Sequence, residues 1–193
     1  MFASSGNRGT SVRSDCYVAI ELNGTRNIHL DIKSKTEILF GRQVRELVMD
    51  MMQFFGITGA HILIEDSGAL PYVIAARTEA AISRLIHIDK TYLLPEVAGN
   101  RHPTGFEDAR RSRLYLPGDQ PKLMINAGLY GAAGIILDLE DSVAPDKKTD
   151  ARYLVRNALR NNDFQGAELM VRINQLPMVL ADLPYLIPHP LTL

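Results

Sequence analysis

Cysteine is almost missing from this chain: its 193 residues include one, Cys16. A lone thiol excludes an internal disulfide and any metal site built from thiolates alone. An excess of charge of either sign is missing too. The 21 Lys and Arg stand against 22 Asp and Glu, for a net charge of −1. No basic face points to nucleic acid and no polybasic segment points to anionic lipid, so a small molecule or another protein is the expected partner. Long apolar runs are also lacking. Nothing approaches the roughly 18 uninterrupted apolar residues of a membrane span, and the opening MFASSGNRGTSVRSD offers no apolar segment to secretory machinery. A cytoplasmic chain is expected, in which Asn23-Gly24-Thr25 reads as a tight turn, not a glycosylation site.

What is present divides into two halves, and the length allows either one ordinary domain or two small ones. Cys16, Val18, Ile20 and Leu22 alternate with more polar residues, and Ile28, Leu30 and Ile32 do so again beyond Asn23-Gly24. Period-two patterns on both sides of Asn-Gly predict a hairpin with one apolar face. Phe40, Val44, Leu47, Val48, Met51 and Phe55 recur at helical spacing and predict its cover, entered through a possible capping box at Ser34-x-x-Glu37 and left at Gly56. A strand over 61–65 and a helix over about 72–87 complete a ββαβα unit over residues 1–88. From 89 to 110, Pro95, Gly99, Pro103 and Gly105 break every period, as expected of a linker.

Beyond it the pattern alternates: strand 113–116, helix 121–130, strand 134–138, helix 146–160, strand 168–174. Such alternation predicts a parallel sheet of βαβ units, making the chain α/β. LPYLIPHPLTL reads as the approach to one more strand. The second strand poses a chemical puzzle, because Ile135-Ile136-Leu137 runs straight into Asp138, Glu140 and Asp141. Carboxylates crowded at a strand end repel one another unless a metal ion, an arginine or water makes the crowding tolerable. Gly128-x-x-Gly131-x-x-Gly134 precedes a strand and reads as a turn, not a phosphate loop. His29, His61, His87, His102 and His189 show no metal-ligand spacing and read as structural or solvent-facing. Cys16 shares a face with Val18 and Ile20 and reads as core.

Four stretches of the second half, Arg111-Ser112-x-Leu114-Tyr115-x-Pro117-Gly118, Asn126-Ala127-Gly128, Asp138-Leu139-Glu140-Asp141-Ser142-Val143 and Val171-Arg172-Ile173-Asn174, resemble, in this order, the opening of the citrate lyase β subunit family, a group of HpcH/HpaI-type aldolases. The first half, with Gly9-Thr10, Ser14-Asp15 and GITGAHILIEDSGAL, resembles the acyl carrier (γ) subunit of citrate lyase. The resemblance implies a small carrier-like α+β domain (1–88), then the first strands and helices of a truncated (β/α)8 TIM barrel (111–193). A complete barrel of that kind needs about 250 residues.

Family membership implies Mg²⁺-dependent retro-Claisen cleavage of a citryl-type thioester to an acetyl thioester and oxaloacetate. It also implies a phosphoribosyl-dephospho-CoA arm on the carrier and association with other citrate lyase-type subunits or with further copies of the chain. Where the carrier family has two serines before its aspartate, this chain has Arg13-Ser14, so Ser14 is the nearest candidate for the attachment. Glu140 and Asp141 are the expected catalytic pair, holding metal-bound waters. Arg172 is the expected grip on a substrate carboxylate, and Arg111 the expected contact to the thioester arm. The family's direct Mg²⁺ ligands belong to later strands, so the chain alone is expected to be inactive as a lyase.

Plainer readings stand beside these. Glu140 and Asp141 could start the next helix, whose positive end favours acidic side chains; Arg172 could be a solvated strand-end arginine; Ser14 could be an ordinary strand-entry serine. At the level of the whole chain, two alternatives remain: a non-catalytic carrier or docking module, and a lyase acting on free CoA thioesters of the malyl- or citramalyl-CoA kind.

Overall fold

The computed structural model describes residues 1–100, 104–105, 107–187, 189 and 191; His102 lies outside the described residues, as does Pro103. The chain forms two compact units, Met1–Leu93 and Leu94–Leu193.

The first unit holds β1 (Phe2–Gly6), β2 (Cys16–Leu22), β3 (Ile28–Ser34), α1 (Glu37–Phe54), β4 (Ala60–Asp66) and α2 (Pro71–Ser83). Its four strands lie in the order β1-β2-β4-β3. The alternating segments at 16–22 and 28–34 are strands, but they do not form the expected hairpin. β4 lies between them, antiparallel to β2 and parallel to β3.

The reason is burial. Ile62 and Ile64 of β4 are fully enclosed, whereas β3 carries His29, Asp31 and Lys33 on its other face, and charged residues are how edge strands discourage further pairing. Putting the more apolar strand in the centre and the charged one at the edge satisfies both. β1 was not expected either. Its inward residues are only Ala3 and Ser5, too small to produce a visible alternation. The observed unit is βββαβα, not ββαβα.

Val18, Ile20, Leu30, Ile32, Ile62 and Ile64 share one face of this sheet and are buried, as are Val44, Val48, Met51 and Met52 of α1. Phe40, expected on the buried stripe of α1, is instead half exposed, beside exposed Ile38 and Leu39. The expected capping box also fails to form. Ser34 Oγ accepts from Thr36 N (3.1 Å) and donates to Asp66 (2.7 Å), tying the ends of β3 and β4 together, and the helix starts with no side-chain cap. The exit at Gly56 is as expected: φ is 73°, Gly56 N donates to Gln53 O and Ile57 N to Met52 O, the paired bonds of a left-handed glycine stop. α2 begins on Pro71, whose missing N–H is harmless in a first turn, and is buried from Tyr72 to Ile82.

The second unit holds β5 (Arg113–Pro117), α3 (Pro121–Met124), β6 (Gly134–Asp138), α4 (Lys148–Asn161), β7 (Glu168–Arg172) and α5 (Val179–Leu186). The strands form a parallel sheet in the order β5-β6-β7. The single helix expected over 121–130 is broken into α3 and a 3-10 turn at Ala127–Tyr130. Gly128 lies so close to Asp163 and Phe164 that a Cβ would come within 2.8 Å of their backbone, and the chain bends to fit. The start of the stretch expected to lead into another strand, residues 183–186, is helical and closes α5; the stretch's later part lies largely outside the described residues. Asp182 of α5 is fully buried and accepts from Arg152 Nε (2.7 Å) and from Asn174 N and Nδ2 (2.8 and 2.9 Å). Much of the expected linker is tied down as well: Val97 N donates to Arg160 O, Asn100 Nδ2 to Leu159 O and Asn162 O, and Arg110 grips Glu168. Among the described residues no helix is long and apolar enough to cross a membrane.

Candidate functional site

In the second unit the three parallel strands are in register at their carboxyl ends, where Pro117 pairs with Asp138 and Asp138 with Arg172. That alignment answers the puzzle of the crowded carboxylates: an arginine sits among them. Arg172 Nε and Nη2 donate to the two oxygens of Asp138, each at 2.8 Å. The same guanidinium lies 3.3 Å from Glu140 and 3.2 Å from Asp141. Charge-assisted bidentate pairing of this kind is the strongest hydrogen bonding a carboxylate can receive.

Asp138 is the buried centre of the cluster and also accepts from the backbone N–H of Glu140 (2.7 Å) and of Ser142 (3.3 Å). Burial alone would push its carboxyl up; the bonds from Arg172, Ser142 and the Glu140 backbone outweigh it and hold the group down at about 2. The pairing with Asp138 pushes the Arg172 guanidinium up, against the opposing effect of burial.

Glu140 and Asp141 are held differently. Glu140 is half-buried and accepts from Gln175 Nε2 (3.1 Å), while the Asp141 side chain is 80% exposed. Lys148 Nζ donates to the carbonyls of Leu139 (2.6 Å) and Glu140, pinning the loop. The Tyr115 ring centroid lies 5.9 Å from the Arg172 guanidinium carbon, on the strand face that both share. Tyr115, Lys148 and Gln175 were not anticipated. Tyr115 had a visible signal, since it stands two residues before the strand end, on the face that bears Asp138 and Arg172.

Arg111 is not brought to this cluster. It precedes β5 at the amino-terminal edge of the sheet, whereas Asp138 and Arg172 close the opposite edge, a strand's length of roughly 15–20 Å away. Glu140, Asp141 and Arg172 do converge, and the hard oxygens of the two carboxylates are of a kind that suits a hydrated Mg²⁺. Asp138 is already committed to the guanidinium.

In the first unit, Ser14 occupies the left-handed region at φ 56°, a conformation uncommon outside glycine, asparagine and aspartate. Two fixtures hold it there. Ser14 N donates to Ser67 O (2.9 Å) and Ser67 N to Asp15 O (3.0 Å). The buried Asp15 carboxylate takes bonds from Arg77 Nε (3.0 Å), Arg77 Nη2 (2.8 Å), Asn7 Nδ2 (2.9 Å) and Cys16 N (2.8 Å). Beside this loop is a cleft of about 740 Å³ whose walls include Arg8, Arg13, Lys33 and Lys35, against Glu65 and Asp66. Arg13 and Ser67, both in contact with Ser14 through the chain or the loop bond, also line it. Four cations against two carboxylates make the cleft suited to an anion with several charges.

The fold also assembles a group that the spacing of the sequence hid. With β4 beside β3, His29 and His61 stand directly opposite each other, and Asp31 bridges them.

Comparison with known proteins gives a consistent division. Residues 5–85 match the family model described as Malonate decarboxylase delta subunit (MdcD), and residues 111–183 that described as HpcH/HpaI aldolase/citrate lyase. The chain is 37% identical over 79 residues to the citrate lyase acyl carrier protein of Fusobacterium nucleatum subsp. nucleatum, covering 41% of this chain and 84% of that protein. It is 40% identical over 76 residues to the citrate lyase acyl carrier protein of Vibrio cholerae, covering 39% and 78%. It is 46% identical over 70 residues to the citrate lyase subunit beta of Leuconostoc mesenteroides subsp. cremoris, covering 36% of this chain and 23% of that protein. The chain thus spans less than a quarter of the β subunit it matches.

Proposed function

The chain belongs to the citrate lyase acyl carrier protein family through its first unit and carries an HpcH/HpaI aldolase/citrate lyase segment in its second; on that premise we propose that it works as a citrate lyase-type subunit. In this reading residues 1–88 form the carrier domain, residues 111–193 the opening of a TIM barrel, and the stretch between them the connection. The reaction served is cleavage of a citryl-type thioester into an acetyl thioester and oxaloacetate, in association with other citrate lyase-type subunits.

The observation that carries the reading is Ser14 held in a left-handed turn at the side of a cationic cleft. A phosphoribosyl-dephospho-CoA arm on Ser14 would supply the thiol that holds the acyl group. Its phosphates fit the charge of Arg8, Arg13, Lys33 and Lys35, because the cations and the turn are already in place before anything binds. The Asp15–Arg77 pair keeps the serine where it is.

In the second unit Arg172 is the group that receives an organic acid. Its Nε and Nη2 are engaged by the three carboxylates, which fixes the plane of the guanidinium and leaves the Nη1 hydrogens for an incoming carboxylate. Glu140 and Asp141 would hold a hydrated Mg²⁺, which supplies Lewis acidity toward a carbonyl oxygen. Asp138 stays ionised and positions Arg172 throughout.

The test is intact-mass and peptide-mapping spectrometry on the chain purified from its native host. The expected result is an added mass corresponding to the arm, mapped to the peptide that contains Ser14 and lost in Ser14→Ala. An unmodified chain from that host would overturn the carrier reading.

A further inference from the structure

We propose that His29, Asp31 and His61 form a binding site for a divalent transition ion of the zinc class on the open face of the first sheet. The site has no part in the carrier chemistry above and stands on its own geometry. His29 and Asp31 are two residues apart on β3 and therefore point to the same side; His61 lies on the neighbouring strand in register with His29. All three side chains leave the face opposite the buried isoleucines.

The atoms are already spaced as ligands. His29 Nε2 lies 3.2 Å from Asp31 Oδ1 and His61 Nε2 lies 2.8 Å from Asp31 Oδ2, with the two ring centroids 5.2 Å apart. Ligand atoms from the three residues fall within 4.8 Å of one another. Around a tetrahedral ion with bonds of about 2.0–2.1 Å, neighbouring ligand atoms stand roughly 3.3 Å apart, so an ion enters with rotation of side chains and no movement of backbone. The strands supply that rigidity through their ladder.

Chemistry selects the class of ion. Two imidazoles and one carboxylate suit zinc, copper or nickel, while magnesium and calcium prefer oxygen alone. Asp31 supplies the carboxylate ligand, with one oxygen toward each imidazole. The side chains of His29, Asp31 and His61 are about half or more exposed, which leaves the ion a path in and a coordination position open to water. Glu21 of β2 stands directly across from His61, on the same face, and is in place to add negative charge. Lys33, the cation on that face of β3, is paired with Glu65 at 3.6 Å.

The experiment is calorimetric titration of ZnCl₂ into the full chain after chelator treatment, in a buffer that does not bind metal. One ion per chain is expected. The double variant His29→Gln/His61→Gln should weaken binding about tenfold or more, Asp31→Asn should weaken it measurably, and His87→Gln, outside the cluster, should leave the affinity unchanged. Since all three cluster side chains face solvent, circular dichroism should be the same for every variant. Absence of zinc binding to the native chain, or an unaltered affinity in the double variant, overturns the proposal. As an independent readout, Co²⁺ should give the visible absorption of a four-coordinate ion in the native chain and lose it in the double variant; an octahedral spectrum in both also overturns it.

Discussion

Asp15 and Arg77 stand 62 residues apart in the chain and meet as a two-pronged ion pair, with bonds of 3.0 and 2.8 Å and the Arg77 side chain 1% exposed. Through that pair the helix α2 holds the backbone on which Ser14 is presented. A buried pair adds little to stability compared with a well-packed apolar pair of the same volume, but its loss on one side strands a charge.

The first prediction concerns that asymmetry. Asp15→Ala should lower the unfolding free energy by about 3–5 kcal/mol, because the buried Arg77 guanidinium loses the carboxylate that balances its charge. Asp15→Leu combined with Arg77→Met should recover much of the loss. Urea denaturation followed by circular dichroism checks both; a single variant as stable as the native chain would show that the pair anchors nothing.

A second prediction follows from the central position of β4. Ile62→Ala removes a side chain enclosed on the buried face of the sheet and should cost about 2–5 kcal/mol. Leu39→Ala, on a side chain 72% exposed at the start of α1, should change stability by less than about 0.5 kcal/mol. Equal effects in the same urea assay would contradict the placement of β4 between β2 and β3.

The contrast between those two residues shows what the sequence can and cannot reveal. Alternation at 16–22 and 28–34 identifies strands, yet it does not say which strand lies beside which; between them Asn23 Oδ1 accepts from Thr25 N, and the two strands part to admit β4. The convergence of His29 with His61 depends on that same insertion, so no spacing rule could disclose it. At the carboxyl edge of the second sheet more was visible, because Asp138, Glu140, Asp141 and Arg172 all lie at or just beyond strand ends, and parallel strands bring such ends together. The role of Asp138 as the buried centre was less legible, since it requires the in-register pairing of β6 with β7. Arg111 lies apart from them for the converse reason: it precedes its strand, and a residue before a parallel strand belongs to the opposite edge.

The third prediction concerns Cys16. Its thiol is fully buried, and burial, followed by the nearby Asp15 charge, pushes it well above its usual range, while Arg77 pulls in the other direction. Only the thiolate reacts rapidly with alkylating agents. In the folded chain, iodoacetamide should therefore label Cys16 slower by an order of magnitude or more than in 8 M urea. Equal rates measured by mass spectrometry would mean that the β2 face bearing Cys16, Val18 and Ile20 is open.

The last prediction reads the Asp138–Arg172 pair through pH. An unfolded aspartate titrates near 3.9, whereas in the fold Asp138 is held at about 2, so the folded chain favours the ionised form. The stabilisation, about 2–3 kcal/mol before allowing for the partly exposed guanidinium, is fully present above about pH 5 and disappears as pH falls from there to about 2. Asp138→Asn lacks the charge at every pH. The stability gap between native and variant chains, taken from urea midpoints, should therefore be constant between pH 5 and 8 and should close progressively below about pH 5. A gap that persists undiminished to pH 2 would mean that Asp138 contributes through its hydrogen bonds alone, and that the charge of Arg172 is balanced by Glu140 and Asp141 instead.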